Sequence, residues 1–164
     1  LDGIFDTDGM LLFNDKLNRV HYIYYYRNEF LSADRKMQLI TKGKTIDTVH
    51  KAEIKVAALS TGDRQMAKPP LIINKTSTVY GNLLFIKSKR IGRYEDENML
   101  KDTSILDVYN LNDGSYISSI YIYHVNGKEM TSFRVTANKI YALSGNYLSV
   151  IRLSKKIMDV YSVK

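Results

Sequence analysis

The chain has 164 residues, 45 % of them hydrophobic and 25 % charged, which is enough for one globular domain with a sizeable core. It has no Cys, which rules out disulfides, thiolate metal sites and Cys nucleophiles, and no long uncharged apolar run that would make a membrane span. The net charge is +7, but the basic residues are scattered in pairs such as "KSKR" and "SKK". A nucleic-acid footprint gathers them on one face, so no nucleic-acid partner is expected.

In chain order, the first informative segment is "GMLLF" (residues 9–13), followed by "RVHYIYYYRN" (residues 19–28) with its four tyrosines. Alternation places Val20, Tyr22, Tyr24 and Tyr26 on one face and His21, Ile23 and Tyr25 on the other. The segment reads as the second strand of a sheet. Tyr24 and Tyr26 are candidate contact residues, and packing between sheets is the competing explanation. Residues 44–75 read as a connection, with degenerate strands in "EIKVAAL" and "PLIIN" and the only prolines in "KPP". Further on, "SILDVYNL" (residues 104–111), the turn "NDG" and "SYISSIYIY" (residues 115–123) make a hairpin. No segment carries a convincing helical stripe.

The strands repeat. "TVYGNLLFIKS" (residues 78–88) aligns without gaps on "RVTANKIYALS" (residues 134–144), and "ILDVYNL" (residues 105–111) aligns on "YLSVIRL" (residues 147–153). Leu106, Val108 and Leu111 thereby match Leu148, Val150 and Leu153. A fainter copy relates "LNRVHYI" (residues 17–23) to "ANKIYAL" (residues 137–143). A unit of four short strands over about 40–45 residues is the period of a propeller blade. The expectation is an all-β chain of about three β-propeller blades, each of four antiparallel strands, in a partial propeller. The blades fall at about 4–43, 76–129 and 130–164, and 1–164 forms a single β-domain. A fourth strand is expected to close the last unit. A β-sandwich is the alternative.

The succession "GMLLFNDKLNRVHYIYYYRNEFLSADRKMQLITKGKTID", "ILDVYNLNDGSYISSIYI" and "FRVTANKIYALSGNYLSVIRL" resembles the six-bladed β-propellers, TolB-like and NHL-like, of secreted and lipid-anchored Bacteroidota proteins. The resemblance covers most of the chain outside residues 44–75. It implies a propeller working outside the cytoplasm, periplasmic or at the cell surface. It specifies architecture and carries no catalytic motif.

Local chemistry is sparse. His21, His50 and His124 lack the spacing of a zinc site, "DTDG" (residues 6–9) reads as an Asp-rich turn, and "GKT" (residues 43–45) lacks the upstream glycine of a phosphate loop. No metal and no cofactor is expected. The middle unit departs from the repeat by inserting "KRIGRYEDENMLKD" (residues 89–102). Loops on a rigid scaffold concentrate function, and Arg and Tyr anchor interfaces, so Arg90, Arg93 and Tyr94 are candidate binding residues. The expected function is a non-enzymatic binding or scaffold module for a protein or glycan partner. The remaining blades of a larger propeller, or a second copy of the chain, are further expected partners. The alternative is a fragment of a propeller hydrolase or lyase, with Asp6, Asp8, Glu95 and Asp96 as acids near the propeller axis.

Overall fold

A computed structural model describes residues 7–53, 55–92, 94–96 and 98–162. The first sheet is an antiparallel meander of β1 (Gly9–Asn14), β2 (Arg19–Tyr24), β3 (Glu29–Ala33) and β4 (Leu39–Lys44). A small hairpin, β5 (Val56–Ala58) and β6 (Arg64–Met66), follows. The second sheet is another four-stranded meander, of β7 (Asn74–Tyr80), β8 (Leu83–Ser88), β9 (Thr103–Asn110) and β10 (Tyr116–Tyr123). A single helical turn, α1 (Met99–Asp102), sits between β8 and β9. The third sheet holds β11 (Ser132–Thr136), β12 (Lys139–Ser144) and β13 (Tyr147–Arg152), and is followed by α2 (Lys155–Met158).

The sheets stack in series. β7 lies against β1 on one side and against β11 on the other, so the first strands of the three sheets run beside one another. Four-stranded meanders fanning from their first strands make a partial β-propeller. A sandwich of two facing sheets does not describe three sheets with two separate cores. One core, between the first and second sheets, joins Ile23 and Phe30 to Leu84, Ile86, Tyr109 and Leu111. The other, between the second and third, joins Phe85, Leu106 and Val108 to Phe133, Ile140 and Ala142. Strand period explains this division: alternate residues of β8 and β9 point to opposite neighbours, and every residue of β8 is buried.

Two details differ from the sequence reading. After β13 the chain forms α2 rather than a fourth strand, and Ile157 of α2 seals the second core. Beyond α2 the chain turns back onto the second sheet. There Tyr161 stacks on Tyr80 at 4.7 Å, and Asn82 Nδ2 donates to the Val160 carbonyl at 2.9 Å. Of the two expected strands in the connection, "EIKVAAL" contains β5, while "PLIIN" is irregular until β7 begins at Asn74.

Two ionisable groups, His21 on β2 and Lys87 on β8, are buried within the sheets. His21 bonds through Nδ1 to Ser32 Oγ at 2.7 Å, and burial together with Arg19 pushes its pKa down to about 4. Lys87 reaches Glu129 Oε1 at 2.7 Å, and Lys89 reaches the same oxygen at 2.8 Å. Burial opposes the charge on Glu129, but the lysine hydrogen bonds outweigh it and hold the carboxyl at about 2.

Candidate functional site: a cleft at the outer rim

A cleft of about 580 Å³ opens between the first and second sheets, lined by residues 46–48, by Ser88 and the following insert, and by β9 and β10. β9 and β10 are the third and fourth strands of their sheet, so the cleft lies at the outer rim, away from the first strands. Its first wall is fixed by Tyr109, whose buried hydroxyl oxygen accepts the Ile46 N–H at 3.0 Å. Its second wall is the insert. Ser88 Oγ accepts the Arg90 N–H at 3.1 Å and donates to the Arg90 carbonyl at 2.9 Å, which turns the chain as β8 ends. Arg90 Nε then donates to Asp47 Oδ2 at 3.0 Å, tying the insert to the first sheet's exit. Glu95 accepts the Gly92 N–H at 2.7 Å on Oε2 and the Tyr121 hydroxyl on Oε1.

Asp107 forms part of the floor. It stands on the row Ile105, Asp107, Tyr109 that faces the first sheet, and is only 4 % exposed. Ser119 Oγ donates to its Oδ1 at 2.6 Å, and Ser119 is in turn 2.8 Å from the Tyr116 hydroxyl. Among the described residues nothing bonds its second oxygen. Burial, helped by the charges of Glu95 and Asp47, raises the Asp107 pKa to about 6, against the Ser119 hydrogen bond. The hydrogen bond to Glu95 raises Tyr121 to about 12.

Of the residues expected from sequence, Arg90 lines the cleft, and Tyr94 stands 92 % exposed on the same insert. Arg93 lies outside the described residues. Tyr24 and Tyr26 are not at the cleft. Tyr24 is buried, edge-on to Tyr22 at 5.1 Å, with the Arg27 guanidinium 3.7 Å from its ring centroid. Tyr26 is half-buried beside Tyr25. Of the candidate acids, Glu95 lines the cleft, Asp96 accepts the Asn98 N–H at 2.8 Å, and Asp8 is exposed at the entry to β1. Asp6 lies outside the described residues. Asp47 and Asp107 were missed. The signal for Asp107 was a charged residue in the middle of an apolar row.

The fold and the cleft define an all-β, propeller-type chain with a hollow of mixed polar and apolar lining between two blade-like sheets. No protein-family model matches it, and no curated protein matches it. Among solved structures it is similar to BamB from Moraxella catarrhalis, at 14 % identity and a TM-score of 0.37, over 90 % of this chain and 44 % of that one. It is also similar to Kluyveromyces lactis Hsv2, at 10 % identity and a TM-score of 0.28, over 89 % of this chain and 62 % of that one. The chain thus spans less than half the length of that BamB. Among the described residues no helix is long and apolar enough to cross a membrane.

Proposed function

We propose that the chain is a non-enzymatic binding module of an exported propeller, holding a protein or glycan partner at the outer cleft. The observation that carries this reading is the insert of residues 89–102. It interrupts the repeat, is pinned to both neighbouring sheets through Arg90–Asp47 and Glu95–Tyr121, and walls a hollow of ligand size. Arg90 and Tyr94 would meet the partner at the rim, with Arg93 beside them in sequence. Tyr24 and Tyr26, although expected as contacts, serve better as packing. In this reading the blades comprise residues 4–43, 76–129 and 130–164, and the module works outside the cytoplasm.

The outward faces of the end sheets support a larger assembly. Leu11 and Phe13 on β1, and Leu143, Leu148 and Val150 on β12 and β13, are exposed. Further blades, or a second copy of the chain, would cover them. The hydrolase or lyase alternative needs acids on the propeller axis, whereas the carboxylates Glu95 and Asp107 line the outer cleft, and this favours binding.

The test is a panel of defined glycans and purified candidate protein partners, measured against the wild-type chain and Arg90→Ala. The expected result is a ligand whose affinity falls at least several-fold in the variant. Ligands that bind both proteins equally, or hydrolysis of a panel glycan, would overturn the reading.

A further inference from the structure

We infer that the cleft receives a primary alkylammonium group such as a lysine side chain, with the ammonium between Asp107 and Glu95 and the methylene stem against Ile46, Ile91 and Ile105. This names the ligand chemistry of the proposed binding site and rests on that reading. Asp47, Glu95 and Asp107 line the cleft, and among the described residues the one guanidinium lining it, Arg90, is engaged with Asp47 at 3.0 Å. Among the described residues Glu95 and Asp107 have no cation partner, in a chain whose net charge is +7. The hollow is therefore a local reversal of the protein's sign, and focuses attraction for cations.

A buried carboxylate is stable when paired and hydrogen-bonded, and costly otherwise. Asp107 is almost wholly buried, yet among the described residues only Oδ1 is bonded, by Ser119. The second oxygen offers an acceptor inside a cavity, where a charge-assisted hydrogen bond is strong. A hard divalent metal wants 6–8 oxygen ligands, and among the described residues no group of three His, Cys, Asp or Glu could hold one. Spaced carboxylates, hydroxyls of Ser119 and Tyr116, and three isoleucines instead suit a three-donor head on an apolar stem. The rings of Tyr116 and Tyr121 add cation–π surface.

Binding should depend on pH through Asp107. The groups around it are Glu95 from the insert, Asp47 from the first sheet's exit, the hydroxyls of Tyr109, Tyr116, Ser119 and Tyr121, and Arg90, which is held by Asp47. None of these supplies Asp107 with a cation.

The experiment is an NMR titration of the 164-residue chain, following the backbone amides of Gly92, Asp107 and Ser119. The probes are N-acetyl-lysine N-methylamide, pentylamine, and the neutral isostere N-acetyl-norleucine N-methylamide. Both amines should shift these amides and the isostere should not. Binding of the lysine derivative should weaken roughly tenfold or more between pH 8 and pH 5, and by a similar factor in Asp107→Asn at pH 8. Equal affinity for the two amines would assign the site to a free amine, and a tighter lysine derivative would assign it to a polypeptide. Equal binding of the isostere, or affinity unmoved by pH and by Asp107→Asn, would overturn the inference. If both amines fail while a glycan or protein still shifts the cleft amides, only the ammonium inference falls. If no ligand moves them, the binding-module reading falls with it.

Discussion

The second and third sheets carry aligned sequences and meet different neighbours. Leu106 and Val108 of the second sheet are wholly buried, whereas their counterparts Leu148 and Val150 of the third are 67 % and 54 % exposed. The strand pattern is the same, and the difference is whether a sheet follows. Phe85, Leu106 and Val108 point towards the third sheet and meet its core, whereas Leu148 and Val150 point away from every described sheet. Burial in a repeat of this kind belongs to the interface between units rather than to the unit. The copies also differ at one polar position. Asp107 stands where the third sheet has Ser149, and the insert of residues 89–102 has no counterpart there. What the middle unit added to the shared pattern is what builds the cleft.

The comparison breaks most sharply in paired truncations. Leu106→Ala should cost about 3 kcal/mol in urea unfolding, because it removes contacts from a packed interface. Leu148→Ala should stay within about 0.5 kcal/mol, as an exposed substitution does. Similar losses from both would mean that the third sheet is covered in solution.

The next effect is electrostatic. Asp107 has a folded pKa of about 6 against an ordinary value of 3.8, so the native state binds more protons between those limits. Its contribution to stability is present below pH 3.8 and is lost as pH rises through 6, a difference of about 3 kcal/mol for this buried group. Asp107→Asn escapes that penalty. It should be more stable than wild type at pH 8, by about 2 kcal/mol after the weaker Ser119 bond is allowed for, and should converge on it near pH 4. His21 works in the opposite direction. Its pKa falls from 6.5 to about 4 on folding, so the unfolded chain binds more protons in that window and stability drops as pH is lowered. The two slopes oppose each other in wild type, and Asp107→Asn should unmask the His21 slope in urea titrations taken between pH 4 and pH 7.

A smaller contrast lies in the hairpin turns. Gly81 and Ala137 occupy the same place in the repeat, at φ of 54° and 47°. A Cβ on Gly81 would meet the Tyr161 ring at 2.4 Å, so Gly81→Ala should destabilise by about 2 kcal/mol through clash and strain. Ala137 is exposed and already holds the left-handed conformation, so Ala137→Gly should stabilise by up to about 1 kcal/mol in the same assay. The smallest expected stability change is that of Leu148→Lys, within about 0.5 kcal/mol. Its readout is sedimentation: a chain that self-associates through the third sheet's outer face should become monomeric.

Much of the fold was legible because period-two alternation and the gapless repeat report strands directly. "RVHYIYYYRN" reads as the second strand of its sheet, and β2 occupies Arg19–Tyr24. The ending of the third unit was not legible, because "SKKIMDV" satisfies both a short amphipathic turn and a strand; in the fold it forms α2, with Ile157 in the second core and Tyr161 stacked on Tyr80. The site was half legible. The insert stood out as a break in the repeat and carries Arg90 and Glu95. Asp47 joins it across a separation that no local pattern encodes. Tyr24 stands edge-on to Tyr22 with the Arg27 guanidinium over its ring, which fits the packing explanation that the sequence offered beside the contact reading.

Asp107 is a buried carboxylate at the cleft floor, bonded among the described residues through Oδ1 alone. Its side-chain carboxyl carbon can be followed by NMR from pH 3 to pH 8. The predicted midpoint is about 6, moving down when pentylamine is added. A midpoint near 4, unmoved by the amine, would contradict the account.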